Sequence, residues 1–74
     1  MSAKTYPVRE QGELHVRHFE ARAELAERHA REALAVGATG LASSLEREAL
    51  ECRDRARMLA AMFAAAEMQL EIAA

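Results

Sequence analysis

The chain contains one cysteine, one proline and no tryptophan, and these scarcities exclude several kinds of small protein. Because Cys52 is alone, no disulfide can form within the chain, and no Cys/His cluster has zinc-finger spacing. A single core in a chain of 74 residues rarely supplies more than about 3–5 kcal/mol of stability. We therefore expect oligomerisation, or docking on a partner, to supply the rest.

Strong charge of one sign is also missing. The formal net charge is −2, and arginine and glutamate alternate along the chain, so we expect no nucleic-acid partner. The longest uncharged run, residues 58–66, is far shorter than the roughly 20 residues that span a membrane. The first residues lack the apolar segment of a signal peptide, so we expect a soluble cytoplasmic protein without a membrane partner.

The clearest pattern lies in residues 42–73. Alternating steps of three and four residues meet only apolar side chains, which is typical of a helix seam in a coiled coil or bundle. The seam consists of Ala42, Leu45, Ala49, Cys52, Ala56, Leu59, Phe63, Ala66, Leu70 and Ala73. Ser43 and Glu46 have capping-box spacing, with Thr39 as a rival cap. We predict a helix over residues 43–72.

A similar seam precedes it and predicts a first helix over residues 13–36, after an N-terminal arm of residues 1–12. Gly12 weakens any earlier helix, and Gly37 is well placed as the left-handed residue that ends this one. The first seam consists of Val16, Phe19, Ala23, Ala26, Ala30 and Ala33. A short turn over residues 37–42 makes the helices antiparallel. The prediction is an all-α fold, with residues 1–74 as one helical-hairpin domain.

Pairing the two seams on paper places small residues opposite each other near the turn and large residues at the far end. Ala26 is predicted to meet Cys52, and Phe63 to meet Val16. Because alanine buries little area, these layers cannot offset the ordering entropy of the chain. We therefore expect two hairpins to assemble into a homodimeric four-helix bundle, or into a higher helical oligomer.

A second apolar strip marks the surface that we expect to contact a partner or another copy. It lies at the open end of the hairpin, meaning the end away from the turn, whereas charged side chains are expected to cover the turn end. Methionine suits such a surface because thioethers pack against varied shapes. The predicted interface residues are Leu14, Ala21, Leu25, Met58, Ala61, Met62, Ala65, Met68 and Ile72.

A polar stripe on the first helix comprises His15, His18, Arg22 and His29. Three interpretations remain open: hydrogen bonds across a subunit interface, an anionic ligand with Tyr6 contributing from the arm, or a structural metal. The metal would require further ligands from Glu67, Glu71 or a symmetry mate. We expect no metal and no cofactor. Since no nucleophile has a base beside it, we also expect no enzymatic activity.

The predicted hairpin resembles the Rop-type plasmid copy-control proteins and the small helical co-chaperones of type III secretion needle subunits. The likeness lies in length, antiparallel helices and a short glycine-containing turn. From the predicted apolar open end we expect a non-enzymatic adaptor, chaperone-like protein or inhibitor that self-associates and binds a macromolecular partner through that end, and we expect this partner to be another protein. The hairpin is also similar to small phage proteins that sequester nucleotide signals, and this similarity implies the alternative, an anionic ligand held between subunits.

Overall fold

The computed structural model describes residues 8–73, which form two α-helices joined by a three-residue connection. Helix α1 spans Val8–Ala35 and helix α2 spans Thr39–Ala73. The two helices pack against each other, and the described residues contain no strand, so the predicted all-α hairpin is confirmed. Neither described helix combines the length and apolarity needed to cross a bilayer.

Both helices begin earlier than the sequence predicts. Helix α1 includes residues 8–12, which the sequence pattern assigns to the arm, while residues 1–7, with Tyr6 among them, lie outside the described residues. Helix α2 begins at Thr39 because the N–H of Ala42 already donates to the carbonyl of Ala38 at 3.0 Å. Ser43 therefore lies inside the helix, and the predicted capping box is wrong.

The connection between the helices is a Schellman turn built on Gly37. This residue has φ of 77°, a left-handed conformation that costs glycine no side-chain clash. The N–H of Ala38 donates to the carbonyl of Ala33 at 2.8 Å, and the N–H of Gly37 to that of Leu34 at 3.0 Å. Two carbonyl groups at the end of α1 are thus satisfied, which confirms the predicted role of Gly37.

The interior of the hairpin is built from small side chains alone. Among the described residues, the buried side chains belong to seven alanines and one cysteine, and Phe19 packs against them while remaining partly exposed. The buried set consists of Ala23, Ala26, Ala30, Ala33, Ala42, Ala49, Cys52 and Ala56. Because alanine lets helix backbones approach closely, this seam closes tightly over the half of the hairpin nearest the turn.

Farther from the turn, the large layers pack differently from the prediction. A Cβ placed on Gly12 would lie 2.7 Å from the Cβ of Phe63, so these two residues are in direct apposition. The sequence pairs Phe63 with Val16, one turn away. Glycine in α1 costs helix stability, but here it gives the Phe63 ring the space that any other residue would occupy.

The hairpin is a single layer of two helices. Its extents are 56 × 30 × 11 Å, and its radius of gyration is 16.9 Å. A compact domain of this length would have a radius of gyration of about 11 Å. Since stable domains bury their apolar surface between at least two layers, both flanks of this hairpin lack a covering layer within the described residues.

Candidate interaction surface

The large apolar side chains predicted to form an interface are all exposed. Their exposed fractions run from 43% for Leu25 to 82% for Ile72. Leu14, Met58, Met62 and Met68 lie between these values. The smaller members of the predicted set, Ala21, Ala61 and Ala65, are exposed as well. The hairpin therefore leaves the whole predicted strip available for contact.

Helix geometry divides this strip into two separate surfaces. At about 100° per residue, Leu14 and Ala21 point away from α2, on the outer edge of α1. Met58 and Ala65 point away from α1, on the outer edge of α2. The two edges face in opposite directions, so a single flat partner cannot cover both of them at once.

A third group of exposed apolar side chains surrounds the turn. The sequence pattern predicts that charged side chains cover this end of the hairpin. Leu34 is 51% exposed, Val36 80% and Leu41 57%. Leu50, on the first turns of α2, is 63% exposed. The sequence signal was the pair of large residues just before Gly37. It was missed because the seam pattern does not include these positions.

The His/Arg stripe lies along one flank of the hairpin and contacts aromatic rings of the same chain. His15 stacks on Phe63, with ring centroids 5.9 Å apart and planes 16° apart. His18 meets the ring of Phe19 edge-on at 5.3 Å. The Arg22 guanidinium lies 5.7 Å from the centroid of that same ring. These contacts give the stripe a packing role within the hairpin.

Arg22 also has an anionic neighbour. Its Nη2 lies 3.7 Å from Oε1 of Glu48 on α2, with both side chains about half exposed. An anionic ligand would have to compete with this carboxylate for the only guanidinium in the stripe. His29 is exposed, and Tyr6 lies outside the described residues. The anion-binding hypothesis therefore stays a prediction.

Within residues 8–73, no group of three or more His, Cys, Asp or Glu side chains could hold a metal ion. Cys52 is 5% exposed and lies in the alanine seam beside Ala26. A thiol in that position is shielded from large reagents and substrates.

The opposite flank carries two adjoining hollows along the groove between the helices. The first is floored by Gly12, Val16, Ala60, Phe63 and Ala64. The second continues toward the turn past Ala56 and is bounded by Arg53 and Arg57. On this flank α2 contributes alanine side chains beside Phe63, and their small size leaves the groove open. Charged residues of both helices stand along its rim, including Glu20 and Glu67.

One strong ion pair crosses the seam on this flank. Arg53 donates from Nε to Oε2 of Glu27 at 3.2 Å and from Nη2 to Oε1 at 2.6 Å. This two-point hydrogen bond lowers the pKa of the Glu27 carboxyl below its ordinary value, against the opposing effect of desolvation. The same contact raises the pKa of Arg53. It ties α1 to α2 near the turn.

Comparison with protein-family models, curated proteins and solved structures finds no match to this chain. A functional proposal therefore depends on the surfaces of the hairpin itself. Among the described residues of the open end, Met58, Met62, Met68 and Ile72 are each more than half exposed.

Proposed function

We propose that this chain is a non-enzymatic helical interaction protein, acting as an adaptor, a chaperone-like protein or an inhibitor. It self-associates and binds a macromolecular partner through the apolar surface at its open end. One observation carries the proposal: alanines and one cysteine fill the described interior, whereas Met58, Met62, Met68 and Ile72 are each more than half exposed.

The surface area of the chain supports association. The hairpin exposes 5901 Å². A compact folded monomer of 8.2 kDa would expose about 4,500 Å². A second copy and a partner would bring the exposed area into the ordinary range.

The chemistry of the open end favours a protein surface as the partner. Three exposed thioethers, on Met58, Met62 and Met68, belong to α2, and thioether side chains adapt to apolar surfaces of differing shape. The two outer edges point in opposite directions, so one edge can contact a copy while the other contacts a different protein. We assign no catalytic role, and Cys52, the only thiol, is buried.

The proposal is tested by placing a charge at two equally exposed positions of α2. Met68, at the open end, is 62% exposed, and Leu50, near the turn, is 63% exposed. We expect wild type to sediment as an oligomer at micromolar concentration. Met68→Glu should weaken self-association about tenfold or more, because a buried carboxylate without a partner opposes assembly. Leu50→Glu should leave the mass unchanged.

Circular dichroism on the same samples distinguishes dissociation from unfolding. Helicity that falls on dilution, together with the sedimenting mass, agrees with a hairpin that needs its copy. A wild-type chain that is fully helical and monomeric at micromolar concentration would contradict the proposal. Equal effects of the two substitutions would show that the open end has no special role.

A further inference from the structure

Helix α2 carries a second stripe beside the seam that faces α1. Its members recur at steps of four, three, four, three and four residues, the spacing that keeps side chains on one face of a helix. All but the last line the two hollows of the open flank. The stripe consists of Arg53, Arg57, Ala60, Ala64, Glu67 and Glu71.

The charges of this stripe are inverted about its centre. Arg57 and Glu67 are equally distant from position 62, and so are Arg53 and Glu71. Ala60 and Ala64 are also symmetric about that position. If two copies of α2 lie antiparallel and centred there, each arginine therefore meets a glutamate of the other copy, and alanine meets alanine between them. Such self-complementarity is what a two-fold interface requires.

We propose that the self-association described above uses this stripe, through an antiparallel contact between the α2 helices of two copies. The inference rests on the proposed function and specifies its interface. Arg57 of each copy pairs with Glu67 of the other, and Arg53 adds Glu71 of the other copy as a further partner. The two alanine positions form the close centre of the contact.

Two carboxylates near the end of α2 favour a second copy of the chain as the molecule that binds this stripe. After Arg57, α2 contains Glu67 and Glu71 but no cation, and its last turn has no basic residue. Carboxylates near a helix C-terminus are disfavoured by the helix dipole. Neither one forms an ion pair with another described residue. Arg9 lines the same hollow as Glu67, but its ion pair within the described residues is with Glu13.

The arginines of the stripe are free to join such a contact. The present partner of Arg57 is Asp54, three residues earlier, and both side chains are largely exposed. Exposed pairs of this kind contribute little stability, so Arg57 can turn to a second carboxylate at small cost. Arg53 keeps Glu27 as its partner, and its side chain is still 41% exposed. Its guanidinium can also donate to the carboxylate of Glu71 of the other copy while it keeps its hydrogen bonds to Glu27.

Small residues at the centre let the two helices approach closely. With only Cβ atoms at Ala60 and Ala64, the axes can come within about 8 Å, the short end of the range for helix pairs. Met68 and Leu70 flank the stripe on its two sides, at 62% and 56% exposure. The contact would cover both, which adds apolar burial to the charge pairing.

The α1 helices constrain how the copies are placed. Because Gly12 lies opposite Phe63, Glu13 lies level with the centre of the stripe. If the open flanks of two copies stacked directly on each other, Glu13 would therefore meet Glu13 of the second copy, and this contact would be repulsive. The two α2 helices consequently lie in the middle of the assembly, and the α1 helices lie outside.

Charge reversal tests this geometry without enlarging any side chain in the seam. Arg57→Glu places glutamate opposite glutamate at positions 57 and 67 of the two copies, and Glu67→Arg places arginine opposite arginine at the same positions. Each substitution should weaken self-association about tenfold or more at low salt, measured by sedimentation. The combined variant in one chain, and an equal mixture of the two single variants, should both return to within about threefold of wild type.

Arg55→Glu is the matched control, since it changes the same charge on the opposite flank of α2 and should leave association unchanged. Rescue in the mixture excludes misfolding as the cause of the single effects. If wild type associates but Arg57→Glu and Glu67→Arg behave like Arg55→Glu, this interface is overturned while the proposed function stands. A monomeric wild type would overturn both.

Discussion

The two halves of the hairpin share one seam pattern but close it to different degrees. In the half nearest the turn, the seam residues from Ala23 to Ala33 face those from Ala42 to Ala56, and nearly all are buried. In the open half, Phe19, Leu59 and Phe63 remain partly exposed. Both ion pairs that cross between the described helices also lie toward the turn, at Glu27 and Glu48.

The difference follows from side-chain size. Alanine facing alanine lets two helices meet directly, and nothing more is needed to exclude water from the seam. A single layer of two helices cannot surround the larger side chains of the open half. The turn half therefore closes on its own small side chains, whereas the open half leaves large apolar side chains exposed.

The largest effect should come from enlarging a residue of the closed seam. Ala23 is 0% exposed, so Ala23→Leu must separate the helices and should lower the free energy of unfolding by about 3 kcal/mol. Ala35→Leu adds the same atoms at an exposed position of α1 and should be nearly neutral. Thermal melts at one fixed chain concentration measure both. Equal melting temperatures would show that the seam is not tightly closed.

A smaller effect should follow from Gly12→Ala in the open half. Its new Cβ would meet the Cβ of Phe63, and we expect a loss of about 1–2 kcal/mol despite the better helix propensity of alanine. Gly40→Ala is the matched control, because nothing lies within 4 Å of the added atom. It should stabilise the protein by up to about 1 kcal/mol.

A double-mutant cycle extends this comparison of glycines. In the background Phe63→Ala, the contacts of the new Cβ with Cγ and Cδ1 of residue 63 are removed, so Gly12→Ala should cost less than it does in wild type. The control Gly40→Ala should have the same effect in either background. Additive effects of Gly12→Ala and Phe63→Ala would mean that the two side chains are not in contact.

The smallest effect should be the pH dependence of the ion pair near the turn. Arg53 lowers the pKa of Glu27, so the pair stabilises the fold above the ordinary carboxyl range, and this contribution is lost as pH falls through the lowered value. Glu27→Gln should therefore melt slightly below wild type at pH 7, and the difference should shrink as pH falls below the ordinary carboxyl range. Glu51→Gln, on an exposed site, should show no such convergence.

Much of the candidate surface could be predicted from the sequence, because exposure in a two-helix hairpin follows from angular position on each helix. Met58 and Met68 are off the seam and are exposed for that reason. The cluster around Leu34 and Val36 could not be found this way. Whether residues at the end of a helix are covered depends on the path of the turn, which periodicity does not describe.

The sequence by itself determined the two helices, their antiparallel arrangement and the turn at Gly37, because these depend on periodicity and on the conformational freedom of one glycine. Only the tertiary structure decided that Gly12 lies opposite Phe63 and that α1 begins before it. Local preference disfavours glycine in a helix, and the space needed by a ring on the other helix reverses that preference. The register between the helices places the two hollows beside Ala60 and Ala64. It depends on how the side-chain volumes of both helices fit across the seam, and no single stretch of the sequence contains both helices.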